Sequence, residues 1–175
     1  MMLLEERPRV AFAPHDRLLD VARLGLDHEE PRPYLQDIVD QLAGRLGAPF
    51  ALIDVLLDGA QVFLAGHGPL PPWIAEAGGT PIEWAFCRPF LTVRQPRIVR
   101  DLSEDPMWRD TRLVKVEGAR AYIGVPLISH RGHVIGGLCA VDVVPRDFPA
   151  EAIAMMESLA TEVIDRIESR VAAGG

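Results

Sequence analysis

The chain has 175 residues, with 18 basic and 25 acidic side chains and a net charge of −7. This length suits a single domain that buries about two-thirds of its unfolded surface, while the acidic balance and the lack of a basic run exclude direct nucleic-acid binding. No secretory signal and no membrane-spanning apolar run is present, so we expect a cytoplasmic protein without membrane contact.

Composition divides the chain into three segments. Residues 1–15 carry charge and two prolines, which predicts a flexible arm. Residues 16–171 show regular apolar patterning and are expected to form one domain, and residues 172–175 are expected to be a disordered tail. No internal repeat and no second domain is apparent.

The first half of the domain predicts two helices and a hairpin. Apolar spacing predicts a short helix over 16–24 and a longer one over 34–46 that begins after Pro33 and ends at Gly47. Two β-rich runs then flank Asp58–Gly59, which is a strong hairpin signal. The Gly- and Pro-rich stretch that follows predicts a long loop with a short helical turn at most.

The middle of the chain is less regular. Residues 82–93 predict a helix that starts near Ala85, with Pro89 in its first turns. Residues 97–100 predict a short strand, and 101–110 a turn with a brief helix.

A second hairpin and a long helix close the chain. Two strands over 125–128 and 134–141 flank the polar turn His130–His133. Gly136 and Gly137 lie inside the return strand, where glycine predicts a bulge or the close approach of another group. The final helix is expected over 148–171.

This order of elements predicts an α+β fold with an antiparallel sheet. The run GVPLISHRGHVIGGLCAVD resembles the last hairpin of GAF domains, and FCRPFLTVRQPRIVRDLSEDPMWRD resembles the middle of the same family. The resemblance covers about residues 17–167. It implies a central antiparallel sheet flanked by helices, with the N- and C-terminal helices on one face and a pocket under loops on the other.

Cys87 is the first candidate for chemistry. In the first turn of a helix starting near Ala85, the helix dipole and Arg88 would favour its thiolate, as in a redox sensor or a covalent attachment point. Its neighbours Trp84 and Phe86 favour a buried, inert thiol instead. Cys139, inside an apolar strand, is expected to be structural.

A metal site is not expected. The two cysteines lie far apart with no metal-ligand spacing, and His130 and His133 splay apart across a hairpin turn, so solvated turn histidines are the favoured reading for these and for His67.

Hydrolase, nucleotide-loop and metalloprotease motifs are absent, so we expect no enzymatic activity. The chain also lacks the residues that are typical of cyclic-nucleotide-binding GAF domains and of GAF domains that attach a bilin. The reductase branch of that family relies on several cysteines around one pocket, whereas this chain has two. The resemblance therefore leaves the cofactor open.

The remaining candidates are side chains able to form a small-molecule pocket. The aromatic walls and polar groups that we expect at a ligand are Trp84, Phe86, Cys87, Asp101, Trp108, Arg109, Tyr122 and Asp142. The alternative is a packed core in which the aspartates cap turns.

Three functions follow. The leading one is a non-enzymatic sensory or regulatory module that signals through a partner protein; the others are a thiol-dependent redox protein or reductase using Cys87 and a ligand-free dimerisation scaffold. The wide apolar stripes of helices 34–46 and 148–171 predict a homodimer through the terminal helices, with Val163 and Ile167 on the shared face.

Overall fold

The computed structural model describes residues 14–28 and 30–174. Six strands in this part form one sheet in the order β3-β2-β1-β6-β5-β4, and every pairing is antiparallel. The strands are β1 Phe50–Leu56, β2 Ala60–His67, β3 Gly79–Pro81, β4 Arg97–Val99, β5 Ala121–Ile128 and β6 Val134–Asp142. The predicted α+β fold with an antiparallel sheet is confirmed.

The helices of the described part are α1 Pro14–Arg23, α2 Gln36–Leu46, α3 Pro72–Ala77, α4 Arg112–Lys115 and α5 Ala150–Gly174. A 3-10 turn over Pro33–Leu35 leads into α2. The C-cap of α2 is Gly47, whose φ of +61° is the left-handed conformation that suits the helix stop predicted there. No helix in the described ranges is long and apolar enough to cross a bilayer.

Strand alternation separates two cores. On one face of the sheet, Ala51, Ile53 and Val55 of β1 pack with apolar residues of α1, α2 and α5. On the other face, Leu52 and Leu56 pack against loops and 3-10 turns. Because successive strand residues point to opposite faces, β1 separates a helix-covered side from a loop-covered side.

Both predicted hairpins are present. In the first, the Leu57 amide donates to the Ala60 carbonyl at 2.8 Å, closing a short turn around Asp58–Gly59. In the second, the Ser129 amide donates to the His133 carbonyl at 2.8 Å, and Gly132 takes the positive φ of 88°.

Glycine is required in β6 because other groups approach its backbone closely. A Cβ on Gly136 would lie 1.9 Å from the Asp54 carbonyl oxygen, and one on Gly137 would lie 2.6 Å from the Cys87 sulfur. The register between β5 and β6 also shifts next to Gly136, between Leu127 and Ile128. Both predicted reasons for these glycines, a bulge and a close approach, are present.

The predicted helix from Ala85 is wrong. Ala85 is extended and separates two 3-10 turns, Ile82–Trp84 and Arg88–Leu91. Pro89 lies in the second of these, where a missing amide proton is tolerated, and the short turns carry the chain across the sheet.

The first and last helices extend beyond the expected limits of the arm and the tail. The expected arm lies outside the described residues up to position 13, whereas Pro14 and His15 already belong to α1. The expected tail at 172–174 is helical, because Ala172 and Ala173 are strong helix formers that extend α5 to Gly174.

The apolar stripe of α5 is covered by the chain itself. Val163 and Ile167 are 0% and 1% exposed, and Ile38, Val39 and Leu42 of α2 are fully buried in the same core. The prediction that Val163 and Ile167 lie on a shared face is therefore wrong, since the sheet and α2 already occupy both sides of the stripe.

A buried ionic cluster fastens the terminal helices together. Asp20 of α1 accepts hydrogen bonds from Ser129 and from Arg23, and Arg23 also forms a 2.9 Å ion pair with Glu168 of α5. Burial by itself would raise the pKa of Asp20, but the hydrogen bonds from Ser129, His133 and Arg23 hold it below its usual value. The cluster joins α1, α5 and the β5–β6 turn.

Candidate functional site

A cavity of about 320 Å³ lies on the loop-covered side of the sheet. Its floor is formed by side chains of β1, β2 and β6, and its cover by the Pro-rich segment 69–74 together with residues 113–119. The lining residues are Phe50, Leu52, Gln61, Phe63, Pro69, Leu70, Pro71, Pro72, Ile74, Thr80, Phe86, Leu113, Glu117, Ala119, Cys139, Val141 and Val143. This volume is at the small end of the range for ligand pockets.

Side-chain contacts hold the cover in place. Trp73 of α3 donates its indole N–H to Glu117 at 2.7 Å, and the Arg112 guanidinium lies 4.6 Å from the centre of the Trp73 ring. Since α3 is only six residues long, these contacts and the flanking prolines fix its position over the cavity.

The cavity is largely apolar, with few polar groups. Thr80 donates to the Gln61 side-chain oxygen at 2.9 Å, so this pair presents a neutral polar edge. Glu117 adds one carboxylate. Among the described residues that line the cavity there is no lysine, arginine or histidine, so the walls offer no cationic partner to a phosphate.

Of the predicted aromatic walls, only Phe86 lines the cavity. Trp108 and Tyr122 are buried behind it, in edge-to-face contact with the Phe86 ring at 5.3 and 5.8 Å between centroids. Trp84 is half-buried and packs against Trp73. These three rings support the wall without lining the cavity.

The predicted polar groups lie elsewhere. Asp101 caps the 3-10 turn Leu102–Glu104 through the Ser103 amide, and Asp142 accepts from the Val143 amide and pairs with Arg146 at 3.1 Å. Arg109 is exposed. Asp101 has the capping role that the sequence offers as the alternative to ligand binding, and Asp142 is held by its neighbour's amide and by Arg146.

The thiol of Cys87 is not activated. Cys87 is fully buried, and burial, followed by the neighbouring Cys139 and Asp54, raises its pKa well above the ordinary value. Of the two alternatives that the sequence offers, the fold agrees with the favoured one, a buried and inert thiol, and in the described residues Cys87 precedes a 3-10 turn rather than an α-helix.

Sequence reasoning missed Asp54. This carboxyl is fully buried in β1, where its Oδ1 accepts from the Gly137 amide at 3.0 Å and its Oδ2 has no hydrogen-bond partner. Burial raises its pKa to about 7. One carboxylate inside the apolar run FALIDVLL is the signal that marks it.

Folding brings the two cysteines together. The sulfur atoms of Cys87 and Cys139 and a carboxylate oxygen of Asp54 all lie within 4.8 Å of one another, and the Tyr122 hydroxyl is 3.2 Å from the Cys87 sulfur. The large sequence separation that argued against a shared site is therefore misleading. Cys139 of this group also lines the cavity.

The three histidines stay apart, and each contacts a carboxylate. His67 lies 2.8 Å from Asp40, His130 2.9 Å from Asp165 and His133 2.9 Å from Asp20. His130 contacts α5 and His133 contacts α1, so these two rings are held in polar contacts rather than simply solvated.

Comparisons with known proteins agree with this fold. The family model described as GAF domain matches residues 30–167. A cyclic di-GMP phosphodiesterase of Pseudomonas aeruginosa is 32% identical over 157 residues, which cover 89% of this chain and 26% of that protein. The chain thus spans about a quarter of the length of this relative.

Two solved structures share the fold at low sequence identity. The GAF domain of a phosphoenolpyruvate-protein phosphotransferase from Coxiella burnetii aligns with a TM-score of 0.68 and 19% identity, covering 94% of this chain and 98% of that one. Free methionine-R-sulfoxide reductase from Neisseria meningitidis, solved with its substrate, aligns with a TM-score of 0.66 and 20% identity, covering 93% of each chain.

Proposed function

Because the chain belongs to the GAF domain family, we propose that it is a non-enzymatic sensory or regulatory module. It binds a small molecule in the cavity under its loops and passes the signal to a partner protein. The observation that carries this proposal is the lined cavity itself, which α3 covers through the Trp73–Glu117 contact.

The walls specify the chemistry of the ligand. Phenylalanine, leucine and proline side chains dominate the lining, and the polar groups are the Gln61–Thr80 pair and the Glu117 carboxylate. A ligand here is apolar over most of its surface and carries one or two hydrogen-bonding groups. It lacks phosphate, because the lining carries the Glu117 carboxylate and, among the described residues, no cationic side chain.

The curated relative supports a place in signalling. Part of a cyclic di-GMP phosphodiesterase resembles 89% of this chain. The phosphodiesterase activity belongs to a much longer protein, of which the aligned residues cover 26%, so we assign none of it here. The proposed role is to sense a ligand for an output that a partner performs.

The burial of both thiols supports the absence of catalysis. A thiol-dependent reductase needs an accessible thiolate, whereas burial raises the pKa of Cys87 and its side chain is fully enclosed. Alkylation kinetics that revealed a fast-reacting Cys87 would favour the reductase instead.

We further propose a cytoplasmic homodimer that pairs through the outer faces of the terminal helices. Apolar side chains left for such a contact include the exposed Leu19 of α1 and the half-buried Ile153 and Met155 of α5, because Val163 and Ile167 are used in the chain's own core. Sedimentation of the wild type and of Met155→Glu tests this: a dimer is expected for the first and a monomer with unchanged circular dichroism for the second. A monomeric wild type would contradict the dimer.

Binding of a neutral apolar probe tests the cavity. N-phenyl-1-naphthylamine, whose fluorescence rises in apolar surroundings, is titrated into the wild type, Ala119→Phe and Ala154→Phe. Ala119 lines the cavity, whereas Ala154 is exposed on α5, so the two variants make the same change inside and outside the site.

We expect saturable binding to the wild type and Ala154→Phe and a loss of at least about tenfold in affinity for Ala119→Phe, since the added ring occupies the cavity. Circular dichroism checks that both variants fold. Equal binding by all three proteins would contradict the site, and no binding by the wild type would favour the ligand-free scaffold.

A further inference from the structure

Three elements bring sulfur and oxygen donors to one point beneath the cavity. Asp54 lies on β1, Cys87 directly before the 3-10 turn Arg88–Leu91, and Cys139 on β6. One donor atom from each lies within 4.8 Å of the other two, and all three residues are buried. This spacing lets one ion contact all three.

Only one of the two carboxylate oxygens of Asp54 has a hydrogen-bond partner. The Gly137 amide holds Oδ1 at 3.0 Å, while the buried Oδ2 has no hydrogen-bond partner. An unpaired oxygen inside a sheet calls for an explanation, because native proteins satisfy nearly all buried polar groups. A cation bound by this oxygen supplies one.

Two residues beside the three donor atoms, Tyr122 and Gly137, position the Cys87 sulfur. Tyr122 lies with its hydroxyl 3.2 Å from the Cys87 sulfur, where it can donate to a thiolate. Gly137 has no side chain where a Cβ would lie 2.6 Å from that sulfur, so Cys87 reaches the cluster only because this residue is glycine. Outer-shell donors of this kind orient metal ligands.

We propose that Asp54, Cys87 and Cys139 form a zinc site whose fourth ligand comes from the cavity. Two thiolates and one carboxylate suit Zn²⁺, whereas Mg²⁺ and Ca²⁺ prefer oxygen ligands alone. Three protein ligands leave one tetrahedral position open, and Cys139 forms part of the cavity wall, so a water or a ligand atom enters from that side.

The binding step involves no redox change. Zn²⁺ replaces the thiol protons of Cys87 and Cys139, and the proton of Asp54 where it is present, and these protons pass to solvent. The inference does not depend on the proposed apolar ligand, because water completes the coordination equally well.

Cobalt and zinc titrations of the full chain test the site. The reduced protein is freed of metal with a chelator, and Co²⁺ is added as a probe whose near-ultraviolet band reports sulfur–cobalt bonds. We expect a band that saturates at one Co²⁺ per chain and disappears when Zn²⁺ is added.

The variants are Asp54→Asn, Cys139→Ser and, as the matched control, Asp142→Asn. Asp142 is a buried carboxylate three residues beyond Cys139, but it is already paired with Arg146. We expect Asp54→Asn and Cys139→Ser to weaken Zn²⁺ binding by at least about tenfold and the control to bind as the wild type does. Circular dichroism identifies any variant that fails to fold.

If a variant fails to fold, the wild-type cobalt band and its loss on addition of Zn²⁺ decide the question alone. Absence of the band would overturn the proposal. So would a Cys87–Cys139 disulfide that forms in air in a protein that binds no zinc, because the pair would then be a redox couple.

Discussion

Replacing Asp54 by asparagine isolates the free energy of ionising a carboxyl group inside the sheet. Burial raises the pKa of Asp54 from 3.8 to about 7, so the folded chain keeps a proton at pH values where the unfolded chain has lost it. The contribution of Asp54 to the free energy of unfolding therefore decreases as the pH rises from about 4 to about 7 and is level above, where both states are ionised. These two pKa values correspond to a loss of about 2 to 3 kcal/mol between about pH 5 and pH 8.

The Asp54→Asn side chain cannot ionise, yet its amide oxygen can still accept from the Gly137 amide. Urea denaturation of both proteins, with a chelator present, gives the free energy of unfolding at each pH. Relative to the wild type, the variant should gain about 2 to 3 kcal/mol between about pH 5 and pH 8, whatever its offset at the lower pH. A difference that stays constant over this range would refute the buried, proton-holding carboxyl.

Two further predictions concern packing and buried charge. Gly136→Ala should lower the free energy of unfolding by about 1 to 3 kcal/mol or more, because its Cβ would lie 1.9 Å from the β1 backbone. The control Gly44→Ala, at an exposed position of α2 with open space around it, should instead raise the free energy of unfolding by about 0.5 to 1 kcal/mol. Equal effects of the two substitutions in chemical denaturation would contradict this packing. Arg23→Ala removes the cationic partner of the nearly buried Glu168 and should lower the free energy of unfolding by about 3 to 5 kcal/mol. The control Arg100→Ala breaks an exposed ion pair with Asp147 and should have little effect. Equal losses of stability in thermal melts of the two variants would contradict this prediction.

Elements with strong local signals follow from the sequence. Asp58–Gly59 and Gly132 mark the two hairpins, and Gly47 marks the end of α2. Gly47 and Gly132 take a positive φ, which few other residues adopt. The apolar spacing of α5 likewise predicts a long helix. What it does not predict is which neighbour covers the stripe, and here the sheet and α2 cover what a partner was expected to cover.

Elements and sites made by tertiary contacts do not follow from the sequence. β3 is three residues long and exists through pairing with β2, and residues 82–91 form two 3-10 turns where the pattern suggests one helix. The cavity combines residues from β1, β2, β6 and two loops, so composition pointed to aromatic side chains that lie behind its wall. Asp54 and Cys139 are 85 positions apart in sequence but meet because β1 and β6 pair.

The central claim is that the cavity binds an apolar small molecule without phosphate. Its most direct test is mass spectrometry of compounds released from the chain after gentle purification from the cells that produce it, with Ala119→Phe purified in parallel. We predict a phosphorus-free compound that is enriched with the wild type and depleted with the variant. A phosphorylated nucleotide bound to the wild type, or the same compounds in equal amounts from both proteins, would contradict the account.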